Sequence, residues 1–466
     1  MKRLSDTSIR IHDLFHPRSI AVIGVPRGIK TGRLFLTALI DQGFPGTIYP
    51  INPLASEIDG LPAYPSLSSV PGPVDLAIIL TPQSDTLSVI QECAAKGVKG
   101  AVLFTAGYGE SGTEKGLNLE AEIVRVARNA GVRLIGPNAM GLYCPKTGLS
   151  FFPQISREHG SIAILSHSGS LANILAFIAD DRCLRFSKMV SLGNECDLTM
   201  ADFLGYLKED EDTRVVGMYM EGIKNGPGFV ETLKSTSLQK PVIIWKVGLT
   251  PEGAKAAASH TGALAGSEKV WQDMARQGGA VTVSGFEAFA DTLMAFSLLK
   301  EVAGDRVAVI SGPGGLAVSA AEACGFNGLK LARLSEATRS ALSHFVPPTG
   351  TSLQNPIDVG MTASIDIDIY TQTVRVVAED PSVDALLIIG VGFTPETNLR
   401  YTESVIDLQQ KSGKPFLMVN VPGFDPSISA NFRRSGLPFF ETVERAVVAF
   451  SRIYRYHEWR KKHRHQ

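Results

Sequence analysis

The chain has 466 residues, 44% hydrophobic and 20% charged, a composition that supports several packed domains rather than one. Its 45 Lys+Arg and 46 Asp+Glu nearly cancel, which excludes the basic field that gathers nucleic acid or an anionic membrane surface. Five widely spaced cysteines with no Cys-x-x-Cys pair argue against a disulfide framework or a zinc site and suit a reducing cytoplasm. The N-terminus lacks the apolar core of a secretory signal, and no apolar run approaches the length of a membrane span.

In chain order, β-branched runs come first at Ser19–Ile23, Thr47–Tyr49, Val74–Leu80, Gly100–Phe104 and Val132–Ile135, with helical patterns such as Leu34–Gln42 and Asp85–Lys96 between them. Apolar runs bounded by glycine and separated by helices predict parallel strands covered on both faces. Such a doubly wound sheet binds ligands at the carboxyl ends of its strands. The pattern restarts at Ser161–Leu165, Lys188–Leu192, Val215–Tyr219 and Val242–Trp245, and again at Arg306–Ile310, Ala385–Ile389 and Pro415–Val419. Val346–Pro356 holds too many breakers for a helix and reads as a loop. Ile162–Leu171 and Val307–Leu316 are alike: each is a strand, a turn of small residues and an Ala-rich helix. The expectation is three α/β domains, over residues 1–150, 151–300 and 301–466. The basic C-terminus, Arg460–Gln466, reads as a solvated tail.

Four constellations can carry chemistry. The loop Gly24–Gly32 follows the first strand, and its glycines let backbone approach a ligand beside a helix N-terminus. It is neither a Gly-x-Gly-x-x-Gly nor a Walker A sequence, and a plain βα turn is an equal reading. The loops Ser166–Ser170 and Ser311–Gly315 each aim a helix N-terminus, which favours anions, above their sheets. One such loop alone is a tight turn; two matched loops point to a shared anion. Ala254–Gly266 sets Ser259-His260-Thr261 among very small residues that permit a mobile loop. A neutral imidazole is a good phosphoryl acceptor near neutral pH, although an isolated histidine is more often structural. Glu221 ends the strand at Tyr219, where a carboxylate can hold one histidine nitrogen and raise the basicity of the other; a surface charge is the bland reading. Glu195 ends another strand and is the weaker candidate.

Taken together, these segments resemble the ADP-forming (NDP-forming) acyl-CoA synthetases, most of all their α subunit and more distantly the succinyl-CoA synthetase α subunit. The resemblance runs over residues 13–455 and rests on Ile48–Pro53, Gly136–Asn138, Ser166–Ser170, Ser191–Asn194, Ser259–Gly266, Gly312–Gly315 and Asn355–Asp358, all in order. It implies a Rossmann-like CoA-binding domain followed by two flavodoxin-like doubly wound parallel-sheet domains. It implies CoA contacts at Gly24, Val25, Pro26, Arg27, Gly32, Asn52, Pro53, Thr105, Ala106 and Gly107, with Asn138 at the acyl and thiol end. His260 matches the family's phosphorylated histidine and Glu221 the glutamate that orients it. Ser168, Gly169 and Ser170 match one phosphate-cradling helix N-terminus, and Gly314 and Gly315 the other.

The resemblance further implies a cytoplasmic hetero-oligomer that converts a small carboxylic acid, CoA and ATP to acyl-CoA, ADP and phosphate through a phosphohistidine and an acyl phosphate. ATP/ADP and Mg²⁺ are expected on a separate ATP-grasp β subunit, since no such segment is evident here, and no metal site is expected in this chain. His167 stands where the family more often has Gln, and Arg27–Lys30 differs from the commoner CoA loop. The alternative weighed is a non-catalytic CoA- or acyl-CoA-binding regulatory protein of the same fold. A lyase using CoA ligation as its first step shares the core chemistry.

Overall fold

The structure, a computed structural model, describes residues 6–28, 30–261, 267–299, 301–390, 392–419, 428, 431–432 and 435–464. The chain divides into two compact units, Met1–Ala179 with Leu184–Ser284, and Asp180–Cys183 with Gly285–Gln466.

The first unit holds two main sheets. The leading sheet is built from β1 (Ser19–Ile23), β2 (Thr47–Ile51), β5 (Leu76–Ile79), β6 (Gly100–Leu103) and β7 (Arg133–Ile135), all parallel, in the order β2-β1-β5-β6-β7. A small hairpin, β3 (Glu57–Ile58) with β4 (Leu61–Pro62), leads from β2 to Tyr64, which forms a single parallel bridge to Ile51. That bridge extends the edge by one rung, so the order becomes the dinucleotide-fold sequence 3-2-1-4-5-6 with its outermost strand reduced to one residue. β1, β5 and β6 are buried along their whole length, because helices cover both faces; this is why they read as unbroken apolar runs.

The second sheet is β8 (Gly141–Tyr143), β9 (His159–Ser166), β10 (Phe186–Ser191), β11 (Val215–Met220), β12 (Val242–Lys246) and β13 (Val281–Val283), in the order β13-β12-β11-β9-β10-β8. Only β8 runs antiparallel, pairing Tyr143 with Met189. The parallel strands follow the flavodoxin order 2-1-3-4-5, whose switch point lies between β9 and its neighbours. The two sheets are stitched by backbone. Asn194 N–H donates to Pro137 O (3.0 Å), Cys196 N–H to Gly136 O (3.0 Å) and Leu198 N–H to Leu134 O (3.2 Å). Asp197, buried, accepts from Arg128 (2.7 Å), Arg133 (2.8 Å) and Leu134 N–H (2.9 Å) in the same seam. The carboxyl ends of both sheets are thereby held side by side.

The second unit repeats the theme. β14 (Arg306–Ser311), β15 (Lys330–Leu331), β17 (Ala385–Ile389), β18 (Phe416–Val419) and β19 (Phe439–Phe440) lie in the order β15-β14-β17-β18-β19, with β16 (Ile357–Asp358) pairing on β14. The helix Val443–His463 packs against the helices Phe286–Leu298 and Gly314–Phe326. Arg445 anchors it by a two-pronged pair with buried Asp291 (2.6 and 2.7 Å). The basic C-terminus differs from the expected tail: through His463 it is the last turn of this helix, and Arg460 pairs with Glu301 at 2.9 Å. Among the described residues no helix is long and apolar enough to cross a membrane.

Candidate active site

The first cluster forms at the mouth of the leading sheet. Gly24 leaves β1 at φ 86°, and a Cβ there would meet Thr81 Cγ2 at 3.0 Å. Only glycine takes that turn without strain, which lets the backbone cross closely over the end of β5. Asn52 fixes the loop: its amide donates to Val25 O (2.7 Å) and its oxygen accepts from Leu54 N–H (2.8 Å). Arg33 holds Pro26 O (2.9 Å) and Arg27 O (3.2 Å), one residue beyond Gly32. On the neighbouring strand ends, Thr105 donates to Thr81 O (2.7 Å) and accepts through its carbonyl from Asn138 N–H (3.1 Å). Ala106 and Gly107 continue that turn, and Gln83 donates to Gly107 O. The structure thus brings Gly24–Arg27, Asn52, Pro53, Thr105–Gly107 and Asn138 to one sheet end. Thr81 Oγ1, buried there without a hydrogen-bond partner among the described residues, was not singled out from the sequence.

The second cluster stands at the carboxyl end of the second sheet. Glu221 is the first residue past β11, with a side chain 3% exposed. Both its oxygens face His260 Nδ1, at 2.9 Å (Oε1) and 3.0 Å (Oε2). A carboxylate accepts and does not donate, so Nδ1 carries the proton and Nε2, across the ring, keeps its lone pair. His260 is half exposed and lies in the last turn of the helix Pro251–Thr261. A mobile loop was the expectation here. Ala254, Ala256, Ala257 and Ala258, with Pro251 in the first turn, favour helix up to that point. Residues 262–266 of the same motif lie outside the described residues.

Partly buried groups flank this pair. Lys246, at the end of β12, donates to Glu221 O (2.9 Å). Burial lowers its ammonium from the usual lysine value while Glu221 opposes the shift. Burial, with the Glu221 carboxylate acting the same way, pushes the Tyr219 hydroxyl up to about 12. On β9, next to β11, Ser166 is in register with Tyr219. Ser168 caps the helix Gly169–Phe177, accepting from Leu171 N–H at 3.3 Å, and its hydroxyl meets that of Ser170 at 3.0 Å. The helix N-terminus therefore opens on the same edge as Glu221. The sequence missed His167 as a working residue: buried, it bonds to the Glu221 backbone and approaches Glu195. Its position between a strand end and a cap was the available signal.

The two clusters meet through the seam. The turn Gly109–Ser111, which follows the Thr105–Gly107 loop, packs against the helix that carries His260. Asn194 donates to Glu120 at 3.0 Å and to Glu110. Gly314 and Gly315 open the helix Gly314–Phe326 in the other unit, where a Cβ on Gly314 would come within 2.8 Å of Asp358 Oδ2.

Three domain families match in order: the CoA binding domain over residues 18–145, the succinyl-CoA ligase like flavodoxin domain over 159–296 and the ligase-CoA domain over 307–404. Among curated relatives, the acetate–CoA ligase [ADP-forming] II subunit alpha of Pyrococcus furiosus is 35% identical over 93% of this chain and 95% of its own length. The acetate–CoA ligase [ADP-forming] I of Archaeoglobus fulgidus is 37% identical over 95% of this chain but only 63% of its own length. Among solved structures, the dinucleotide forming acetyl-coenzyme A synthetase 1 of Ca. Korarchaeum cryptofilum, in complex with phosphate and ADP, superposes with a TM-score of 0.88 at 34% identity, over 97% of each chain.

Proposed function

The chain belongs to the family of ADP-forming acetate–CoA ligases, and on that premise we propose that it is the α subunit of an acid–CoA ligase whose His260 carries the phosphoryl group. The observation that carries this reading is the pairing of Glu221 with His260 Nδ1 at the mouth of the second sheet. It leaves Nε2 as the nucleophile and gives the ring a counter-charge once Nε2 is phosphorylated.

The family reading implies three steps. His260 Nε2 attacks the terminal phosphorus of ATP, and ADP leaves. A carboxylate oxygen of the acid then attacks phosphohistidine, forming an acyl phosphate and restoring the imidazole. The CoA thiolate attacks the acyl carbon, phosphate leaves, and acyl-CoA is formed. The helix N-terminus at Ser168–Ser170 supplies converging N–H dipoles for the travelling dianion, on the order of 0.3–1 kcal/mol when exposed and more when partly buried. Gly314 and Gly315 match the family's second terminus of this kind. The Gly24–Gly32, Asn52-Pro53 and Thr105–Gly107 loops hold CoA, and Asn138 faces its thiol end. The Gly109–Ser111 turn against the His260 helix supports a short path between the two clusters. A protein that only binds CoA has no use for a carboxylate on Nδ1.

We assign the nucleotide to a separate β subunit of the ATP-grasp type. The Pyrococcus relative is itself named a subunit alpha, and more than a third of the Archaeoglobus relative lies outside its match to this chain. We assign Mg²⁺ to the same subunit, where it would accompany the phosphates of the nucleotide. Five widely spaced cysteines, four of them buried, suit the cytoplasm. The test is calorimetry and turnover on one preparation. The chain alone should bind CoA, and ADP- and phosphate-dependent ATP synthesis from acetyl-CoA should appear only with the β subunit. Absence of CoA binding would contradict the reading.

A further inference from the structure

We propose that His167 is a positioning residue for phosphoryl transfer, acting as a neutral imidazole protonated on Nε2 that fixes the backbone of Glu221 and through it the ring of His260. This rests on the function proposed above.

The argument starts in the β9–β11 ladder. Ser166 and Tyr219 form its last regular pair. One more rung follows, from His167 N–H to Tyr219 O at 3.2 Å. In a regular parallel ladder the return bond would run from Glu221 N–H to the carbonyl of His167 itself. Here that N–H donates instead to the His167 ring, at 2.9 Å from Nδ1. The side chain replaces the strand just where β11 must end and Glu221 must turn towards His260.

That bond dictates the ring's state. A backbone N–H is only a donor, so Nδ1 must offer a lone pair, and the neutral ring carries its proton on Nε2. Nε2 lies 3.3 Å from Glu195 Oε2, an acceptor. The other Glu195 oxygen takes Met200 N–H at 2.6 Å, and the Glu195 carbonyl takes the Lys224 ammonium at 3.0 Å. Glu195 sits at φ 54°, a strained backbone for a non-glycine residue, and both it and His167 are 5% exposed. A buried, oriented carboxylate thus selects the tautomer, the tautomer holds Glu221 N–H, and the Glu221 side chain holds His260. Three strand ends, those of β10, β9 and β11, are cross-tied through one imidazole. A histidine present only to fill space has no need of either bond.

The experiment has two arms. In the first, ¹⁵N spectra of the histidine-labelled full chain, with the signal assigned by its loss in His167→Asn, should show His167 unprotonated on Nδ1 and protonated on Nε2. A ring protonated on Nδ1 overturns the proposal whether or not the ligase reading holds. In the second, the complex with the β subunit is assayed with ATP and acid. His167→Asn, whose oxygen occupies the place of Nδ1 and still accepts from Glu221 N–H, should keep most of kcat. His167→Ala should lower kcat about 10- to 100-fold with KM for acid and CoA little changed. Equal kcat in the Ala variant and the wild type, or an Asn variant as slow as Ala, overturns it. Failure of the wild-type complex to label His260 would instead count against the ligase reading, leaving the tautomer measurement to judge the positioning claim.

Discussion

His260 Nδ1 lies within 3.0 Å of both oxygens of Glu221, across 39 residues of sequence. The carboxylate is buried and the imidazole half exposed, so the charge is fixed by the protein while the ring reaches solvent. Orientation and basicity of Nε2 both depend on this contact.

Glu221→Gln keeps the shape of the side chain and removes its charge. Phosphorylation of this chain by ATP in the assembled complex should slow by about 10- to 100-fold. CoA affinity of the isolated chain, which the proposed function assigns to loops of the other sheet, should stay within error. Rapid-quench labelling and calorimetry on one preparation separate the two.

Asn52 ties the glycine loop to the end of β2 through Val25 O and Leu54 N–H. Asn52→Ala should loosen that loop and weaken CoA binding by about 1 kcal/mol, roughly fivefold in Kd. Phosphorylation of His260 by ATP should be unaffected. Calorimetric titration with CoA reads the first effect and phospho-labelling the second.

Asp197 links acid stability to the seam between the sheets. Burial acts to raise its pKa, but the Arg133 guanidinium, Leu134 N–H and Arg128 together hold it below the ordinary value of 3.8. Its folded-state pKa is therefore the lower one, and its stabilisation is fully present above about 4 and lost as pH falls through the folded value. Asp197→Asn should cost roughly 3 kcal/mol at neutral pH, leaving two guanidinium groups unpaired. The gap in unfolding midpoint between wild type and variant should narrow progressively below pH 4. A gap that stays constant down to pH 2 would contradict the linkage.

The strands were legible wherever burial on both faces made them unbroken β-branched runs: β1 spans Ser19–Ile23 and β17 spans Ala385–Ile389, the expected limits. Short edge elements were not. Gly141–Tyr143 and Val281–Val283 have three residues each and pair with one neighbour, so they leave no periodic signal. Tyr64 forms a one-residue strand that only its partner Ile51 reveals. At the site, Glu221 could be read from its place at a strand end and His260 from its frame of small residues. The role of His167 could not, since it depends on a bond to a backbone N–H 54 residues away and on Glu195, which reaches it from a third strand end.

The most direct measurement is phosphate labelling of this chain by γ-labelled ATP with Mg²⁺ and the β subunit. An acid-labile, base-stable phosphoryl group should appear on the wild-type chain, discharge on addition of carboxylic acid and CoA, and be absent from His260→Ala. Label that persists in His260→Ala at the wild-type level would contradict the account.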